Sequence, residues 1–223
     1  MITIRKSSER GHFDYGWLNT RHTFSFNTYH NKNYMGFRSL IVINEDVVQS
    51  GQGFGAHPHD NMGIITYIVS GELAHKDSGG HTSVIRKGTV QIMSAGEGVV
   101  HSEFNDSKKP VHLLQIWIVP EKRNTPMRYA EKKLENKKDS LNLIADNKEV
   151  YQDVIIYSCN LKDKKNIKYS LEKGRGLWIQ LIEGMIKVNN KEINKGDGVS
   201  IEDEHEINIL AKKNSEFLMF DLK

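Results

Sequence analysis

The sequence predicts an all-β protein, an antiparallel sandwich or barrel, and three observations carry that expectation. From about residue 37 onwards the 223-residue chain is a succession of β-branched, apolar runs five to eight residues long. Glycine-bearing turn signals break these runs at short intervals, which leaves little room for long helices. The runs also recur in two similar sets, so one architecture accounts for both halves.

Taken in order, the first set is FRSLIVI, GIITYIVSG, TSVIRKG, TVQIMSAG and HLLQIWIVP. Residues 120–150 read differently: Pro120 and Pro126 lead into the lysine-rich RYAEKKLENKKDSLNLIADN, an expected exposed connection with a short helix. Strand signals then return as DVIIYSCNL, GLWIQLIEG, MIKVNNKEINKG, GVSIED, EINILA and EFLMFDL. The two sets align if Gly71 matches Gly184 and Gly88 matches Gly196, which points to an internal duplication. The expected division is an N-terminal domain over 1–125, a connecting segment over 126–150 and a C-terminal domain over 151–223.

Composition excludes several classes. Charged residues make up 26% and hydrophobic residues 38% of the chain, which suits a folded globular protein rather than a disordered one. The length allows one large or two small domains, each able to bury a core without a structural metal, so a metal here is expected to be functional. The net charge is only +3, and the lysine runs around 132–138 and 162–168 are interspersed with acids. They read as solvated faces, not as the one-signed stripe that phosphates require, so no direct nucleic-acid partner is expected. Cys159 is the only cysteine; it rules out an intrachain disulfide and the Cys-rich zinc frameworks and fits a reducing cytoplasm. No apolar run approaches the roughly 18–20 residues of a spanning helix, and the opening MITIRKSSERGHF lacks the apolar stretch of a leader, so no membrane association is expected.

Nine of the ten histidines lie within residues 1–112, so a histidine site belongs to the first half. Residues i and i+2 of a strand share a face, which makes His57 and His59 project together, and likewise His101 and Glu103. On facing strands of a small barrel the two pairs converge. Three imidazoles and a carboxylate suit a divalent first-row metal. Pro58 is tolerable at a strand end or edge and stiffens the backbone between two ligands, while Gly96 and Gly98 supply a tight turn ahead of His101. His75, His81 and His112 are read as ordinary surface or hydrogen-bonded histidines, with a role behind the ligands or in the pocket as the alternative. Ile65, Tyr67, Ile92, Leu114 and Ile116 are candidate pocket walls, about half of them expected to face outward. Trp17, His22, Phe24 and Phe26 are candidates to close the pocket or, more simply, to plug the barrel.

At these residues the chain resembles the cupin superfamily, whose first motif begins G(x)5HxH, here Gly51 to His59, and whose second centres on G(x)2H(x)3N, here Gly98, His101 and Asn105. More narrowly, RGHFDYGWLNTRHTFSF, MGFRSLIVIN, HPHDNMGIITYIVSG and MSAGEGVVHSEFN are similar to the pirin family, and especially to bacterial bicupin members with quercetin 2,3-dioxygenase activity. That resemblance implies two jelly-roll-like cupin barrels with few short helices, the first holding one metal and the second degenerate. It implies His57, His59, His101 and Glu103 as metal ligands, with Glu103 also placed to accept a substrate proton. Iron(II) is the expected metal, with nickel, manganese, cobalt, copper and zinc as alternatives; the implied partners are an aromatic flavonol or enediol and O2. Nuclear pirins supply the other reading, a metal-binding regulator acting through protein partners. One departure stands out: the family pattern has a glutamate shortly after the HPH triplet, where this chain has Gly63, which is expected to remove a carboxylate near the site.

Overall fold

In the computed structural model, residues 1–135 and 137–223 are described; Asn136, inside the lysine-rich run, lies outside them. The first twelve strands are β1 (Ile2–Arg5), β2 (Gly11–Asp14), β3 (Leu18–His22), β4 (Leu40–Val48), β5 (Gln52–His59), β6 (Gly63–Ser70), β7 (Glu72–Asp77), β8 (Thr82–Arg86), β9 (Thr89–Ser94), β10 (Val99–Asn105), β11 (Val111–Ile118) and β12 (Arg128–Lys133). They are followed by β13 (Leu141–Ala145), the one-turn helix α1 (Asn147–Val150), β14 (Val154–Leu161), β15 (Asn166–Ser170), β16 (Gly176–Glu183), β17 (Met185–Val188), β18 (Lys191–Asn194), β19 (Gly198–Ile201), β20 (Glu206–Ala211) and β21 (Ser215–Leu222). The protein is all-β, as its runs of valine, isoleucine and aromatic residues lead one to expect. Among the described residues no helix is long and apolar enough to cross a membrane.

Two compact units form. One, the histidine-bearing unit, comprises Gly11–Leu134 and Asn147–Gln152; the other, the C-terminal unit, comprises Met1–Arg10, Glu135–Asp146 and Asp153–Lys223. Each pairs a large sheet with a four-stranded sheet. In the histidine-bearing unit the orders are β12-β9-β6-β11-β4-β3-β2 and β5-β10-β7-β8. In the C-terminal unit they are β1-β19-β16-β21-β14-β13 and β15-β20-β17-β18. The orders correspond strand for strand from β9-β6-β11-β4-β3 to β19-β16-β21-β14-β13, and from β5-β10-β7-β8 to β15-β20-β17-β18. The duplication read from the glycines is therefore structural. Gly71 and Gly184, both at positive φ (83° and 89°), make the same turn after β6 and β16. A side chain at either would press on the backbone of the opposing loop, at Pro110 or Asn214, so glycine is required there.

Chain order is broken at one edge of each large sheet. β1 pairs with β19 in the C-terminal unit, whereas β12 supplies the equivalent edge beside β9 in the histidine-bearing unit. The segment expected to be an exposed connection thus carries two strands, β12 and β13, as well as the short helix. β12 reads as a loop because it is an edge strand, RYAEKK, and charged residues on an edge discourage pairing with other chains.

The C-terminal core is made of apolar residues such as Leu177, Ile179, Ile186, Ile207, Ile209, Phe217 and Met219, all essentially inaccessible. Each such side chain contributes about 1.5–3 kcal/mol on burial, so the unit needs no metal to hold it together. In the histidine-bearing unit, by contrast, Thr66, His75, His101, Glu103 and Gln115 are polar and buried.

Candidate metal centre

β10 runs between β5 and β7 in the smaller sheet. Its alternation buries Val99, His101, Glu103 and Asn105 and leaves Val100 and Phe104 exposed. Register then decides who meets whom: His101 lies opposite His57 on β5 and Asp77 on β7, and Glu103 lies opposite His75. The β5 pairing slips between His101 and Glu103, a bulge that turns the strand at the site. β5 is an edge strand, so the missing N–H of Pro58 leaves no ladder partner unserved. Gly96 and Gly98 both hold positive φ, 55° and 148°, in the turn that delivers β10.

The imidazoles of His57, His59 and His101 converge, with ring centroids 4.4–4.9 Å apart and one nitrogen from each within 4.8 Å of the others. A second triple shares His101 and adds Glu103 and His75 within the same span. Glu103 is thereby brought beside His101, in the triple that contains His75 rather than in the one that contains His57 and His59. Its carboxylate is held from two sides, accepting hydrogen bonds from Gln115 Nε2 (2.5 Å) and Thr66 Oγ1 (3.2 Å). His57 Nδ1 lies 2.7 Å from the Gly55 carbonyl, which can only accept, so Nδ1 donates and the neutral ring presents a lone pair at Nε2. His59 packs edge-on against Trp117 at 4.9 Å.

Burial tunes these groups as ligands. Desolvation, reinforced by the neighbouring imidazoles, pulls His59 down to about 4 and His101 down to about 3, so both stay neutral at physiological pH. Glu103 is pushed the other way: burial raises its carboxyl above the usual range, and the hydrogen bonds from Gln115 and Thr66 only partly offset this. The structure also tests whether the residues suit a cation. His101 Nε2 is fully buried and has no hydrogen-bond partner among the described residues, an arrangement that costs about 1–3 kcal/mol unless something occupies that lone pair. A divalent metal fits the requirement.

The site opens into a cavity of about 110 Å³ whose apolar lining includes Phe26, Phe54, Ile64 and Trp117. The walls expected from the sequence, Ile65, Tyr67, Ile92, Leu114 and Ile116, are all buried but do not line it. Strand parity is the reason. Thr66 and Gln115 touch Glu103, so their sequence neighbours point to the opposite face of the sheet. Of the N-terminal aromatics, His22 and Phe26 line the cavity, Trp17 packs against Phe54 behind it, and Phe24 is buried away from it. Position 63 is likewise turned away. A Cβ on Gly63 would meet Val150 at 3.1 Å and the Ile118 carbonyl at 3.3 Å, so the glutamate absent there would not face the histidines from this backbone.

His112 lies 3.0 Å from Glu45, an ordinary half-buried hydrogen-bonded contact. His75 is different. It is buried, it lies against His101 and it is bonded to Asp77, the placement that the sequence offered as the alternative to an ordinary hydrogen-bonded histidine. The signal was present in AHKD, whose His75 and Asp77 share a strand face in the same way as His101 and Glu103.

Paired barrels of this kind, one with a histidine cluster and one without, define a bicupin. The family model described as Pirin matches residues 3–118, and that described as Quercetinase C-terminal cupin domain matches residues 144–222. A protein of Escherichia coli K12 named quercetin 2,3-dioxygenase is 42% identical over all of this chain and 99% of its own length. A pirin-like protein of Caulobacter vibrioides is 32% identical over 99% of both. The crystal structure of E. coli pirin YhhW in complex with nickel(II) superposes with a TM-score of 0.96 at 41% identity, covering 100% of this chain and 99% of that one. The chain belongs to the pirin family.

Proposed function

We propose that the histidine-bearing barrel binds one divalent transition metal through His57, His59, His101 and Glu103 and acts as a dioxygenase that opens the ring of quercetin or a related flavonol or enediol. The observation that carries this reading is the convergence of three imidazoles on one point, with a buried Nε2 left without a partner, at the end of an apolar cavity. The full-length relatives named quercetin 2,3-dioxygenase supply the substrate class, and the solved nickel(II) complex of E. coli pirin supports a divalent metal. The donor set accommodates iron(II) and nickel(II) alike.

When bound, the metal would supply Lewis acidity to the adjacent oxygens of the substrate, lowering their pKa and holding them in place. The protein does the rest. Phe26, Phe54 and Trp117 present aromatic surface to a planar ring. A cavity of about 110 Å³ suits the chelating end of a flavonol, with the remainder projecting towards solvent. Glu103 is the cavity carboxylate that lies beside His101, and Thr66 and Gln115 orient it to accept the substrate hydroxyl proton once the donor approaches within about 2.6–3.2 Å.

The test is turnover. Protein loaded with iron, nickel, manganese or cobalt should consume quercetin and O2 with release of carbon monoxide and loss of flavonol absorbance, and His59→Ala and Glu103→Ala should abolish both signals. Inactivity of every metal form would refute the assignment.

A further inference from the structure

We infer that His75, anchored by Asp77, is the positioning residue of the metal centre, fixing which nitrogen of His101 faces the cation. The inference rests on the ligand assignment proposed above and extends it to residues that touch neither substrate nor metal.

The argument starts at Asp77, whose side chain is fully buried together with that of His75. Asp77 accepts from the His81 backbone N–H at 3.0 Å and lies 3.0 Å from His81 Nδ1. Burial raises the Asp77 carboxyl, but the hydrogen bonds from His75 and His81 outweigh it and hold the group below the usual carboxylate range. An ionised carboxylate can only accept, so His75 Nε2, 3.0 Å away, must carry a proton. In the neutral ring, His75 Nδ1 is then an acceptor. That nitrogen faces His101 Nδ1 at 3.5 Å, the long end of hydrogen-bonding range, a contact that favours an N–H at His101 Nδ1. The proton is thereby kept off His101 Nε2, the buried atom without a partner. One carboxylate thus sets two tautomers in succession and leaves a lone pair where the metal is proposed to sit. His57 reaches the same state with a single backbone carbonyl, that of Gly55. His101 lies on the central strand of the three, where a side chain on β7 does the work that a backbone group does at the edge. Groups behind metal-bound histidines typically affect metal affinity 10–100-fold.

The test uses the full chain and cobalt(II) alone, read by competition titration and by the visible absorption of the bound ion. His75→Phe keeps the ring against Tyr129, which stacks on His75 at 5.3 Å, but removes the acceptor; it should weaken cobalt binding about 10–100-fold and alter the spectrum. His75→Asn, whose Oδ1 falls near the position of Nδ1, should recover most of the affinity and the spectrum. If His75→Phe does not fold, Asp77→Asn serves instead: its amide can offer N–H to His75, permits the opposite tautomers and should weaken binding about tenfold. Wild-type affinity and an unchanged spectrum in folded His75→Phe would overturn the inference while leaving the ligand assignment intact. A second cobalt equivalent that disappears in His75→Phe would overturn it too, by making His75 a ligand. Binding by the wild-type protein that survives His101→Ala would sink the ligand assignment, and the inference with it.

Discussion

Where the histidine-bearing barrel places His101 and Glu103, the corresponding strand of the C-terminal barrel places Ile207 and Ile209. The substitution extends through the whole neighbourhood. From the turn glycines Gly71 and Gly184 and the pairing registers, His57 maps to Tyr169, His59 to Leu171, His75 to Val188, Thr66 to Ile179 and Gln115 to Met219. All of these C-terminal residues belong to its apolar core or pack against it. The two barrels show that the fold does not need the site. The same strand order encloses a hydrocarbon core in one case and, in the other, sets a carboxylate, an amide and four imidazoles beside an apolar cluster that includes Ile68, Leu73, Ile85 and Leu113. The second arrangement costs stability, because buried polar groups must be held by partners and one of them, His101 Nε2, has none among the described residues.

The sharpest way to break this comparison is to graft one feature across. Ile209→Glu puts a carboxylate where Glu103 sits but without the Thr66 and Gln115 equivalents, since Ile179 and Met219 stand there. A buried charge without partners should cost about 3–5 kcal/mol, read as a fall in the urea midpoint of the metal-free protein. A loss under 1 kcal/mol would mean that the barrels are not equivalent at this position. The reverse graft, Thr66→Val, Glu103→Ile and Gln115→Met together, should stabilise the metal-free protein by about 1–3 kcal/mol and abolish cobalt binding. Lower stability in that triple variant would show that the polar cluster supports the barrel rather than burdening it.

The acid response should also separate the barrels, because at these positions only the histidine-bearing one has groups that titrate in the acid range. In the unfolded chain His59 and His101 take up protons near 6.5, whereas in the fold they resist until about 4 and about 3. The unfolded state therefore binds more protons in that window, and the metal-free protein should lose stability as pH falls from about 6.5 towards 4. Glu103 acts in the opposite sense: its raised pKa makes the fold bind the extra proton, so its contribution is lost as pH rises past the ordinary carboxylate range. His101, the more deeply buried histidine, should dominate. Denaturation curves of His101→Leu across this range should show a visibly flatter dependence, and an unchanged slope would refute the burial argument.

Which of these features the sequence discloses follows from periodicity. Ligand pairs at i and i+2, with a turn glycine ahead of them, are local patterns, and the structure brings all four named residues into one neighbourhood. The duplication is equally legible, because Gly71 and Gly184 are forced by the same turn. Strand faces are not legible in GIITYIV. Both faces of β6 are buried, so apolar residues fill both and no alternation marks Thr66 as the one facing the site. The placement of β1 beside β19 is invisible for another reason: it joins residues about two hundred positions apart, and nothing local in ITIR marks that partner. His75 falls between these cases, since its spacing from Asp77 is local but its meeting with His101 depends on β7 pairing with β10.

The smallest expected effect concerns Gly63, where this chain departs from its family and where the two barrels agree. The register of β6 against β11 and of β16 against β21 makes Gly63 the counterpart of Gly176. Position 63 faces Val150 on α1, not the histidines, so restoring a side chain should act on packing and leave metal binding alone. At 3.1 Å from Val150 an added methyl is tight but not blocked, and Gly63→Ala should change stability by no more than about 1 kcal/mol. Cobalt affinity should stay within about twofold of wild type, well inside the 10–100-fold range of groups that support ligands. A larger loss in Gly63→Ala would mean that the strain reaches Thr66 three residues along β6, and through it Glu103, which would bring the apparently distant glycine back into the design of the site.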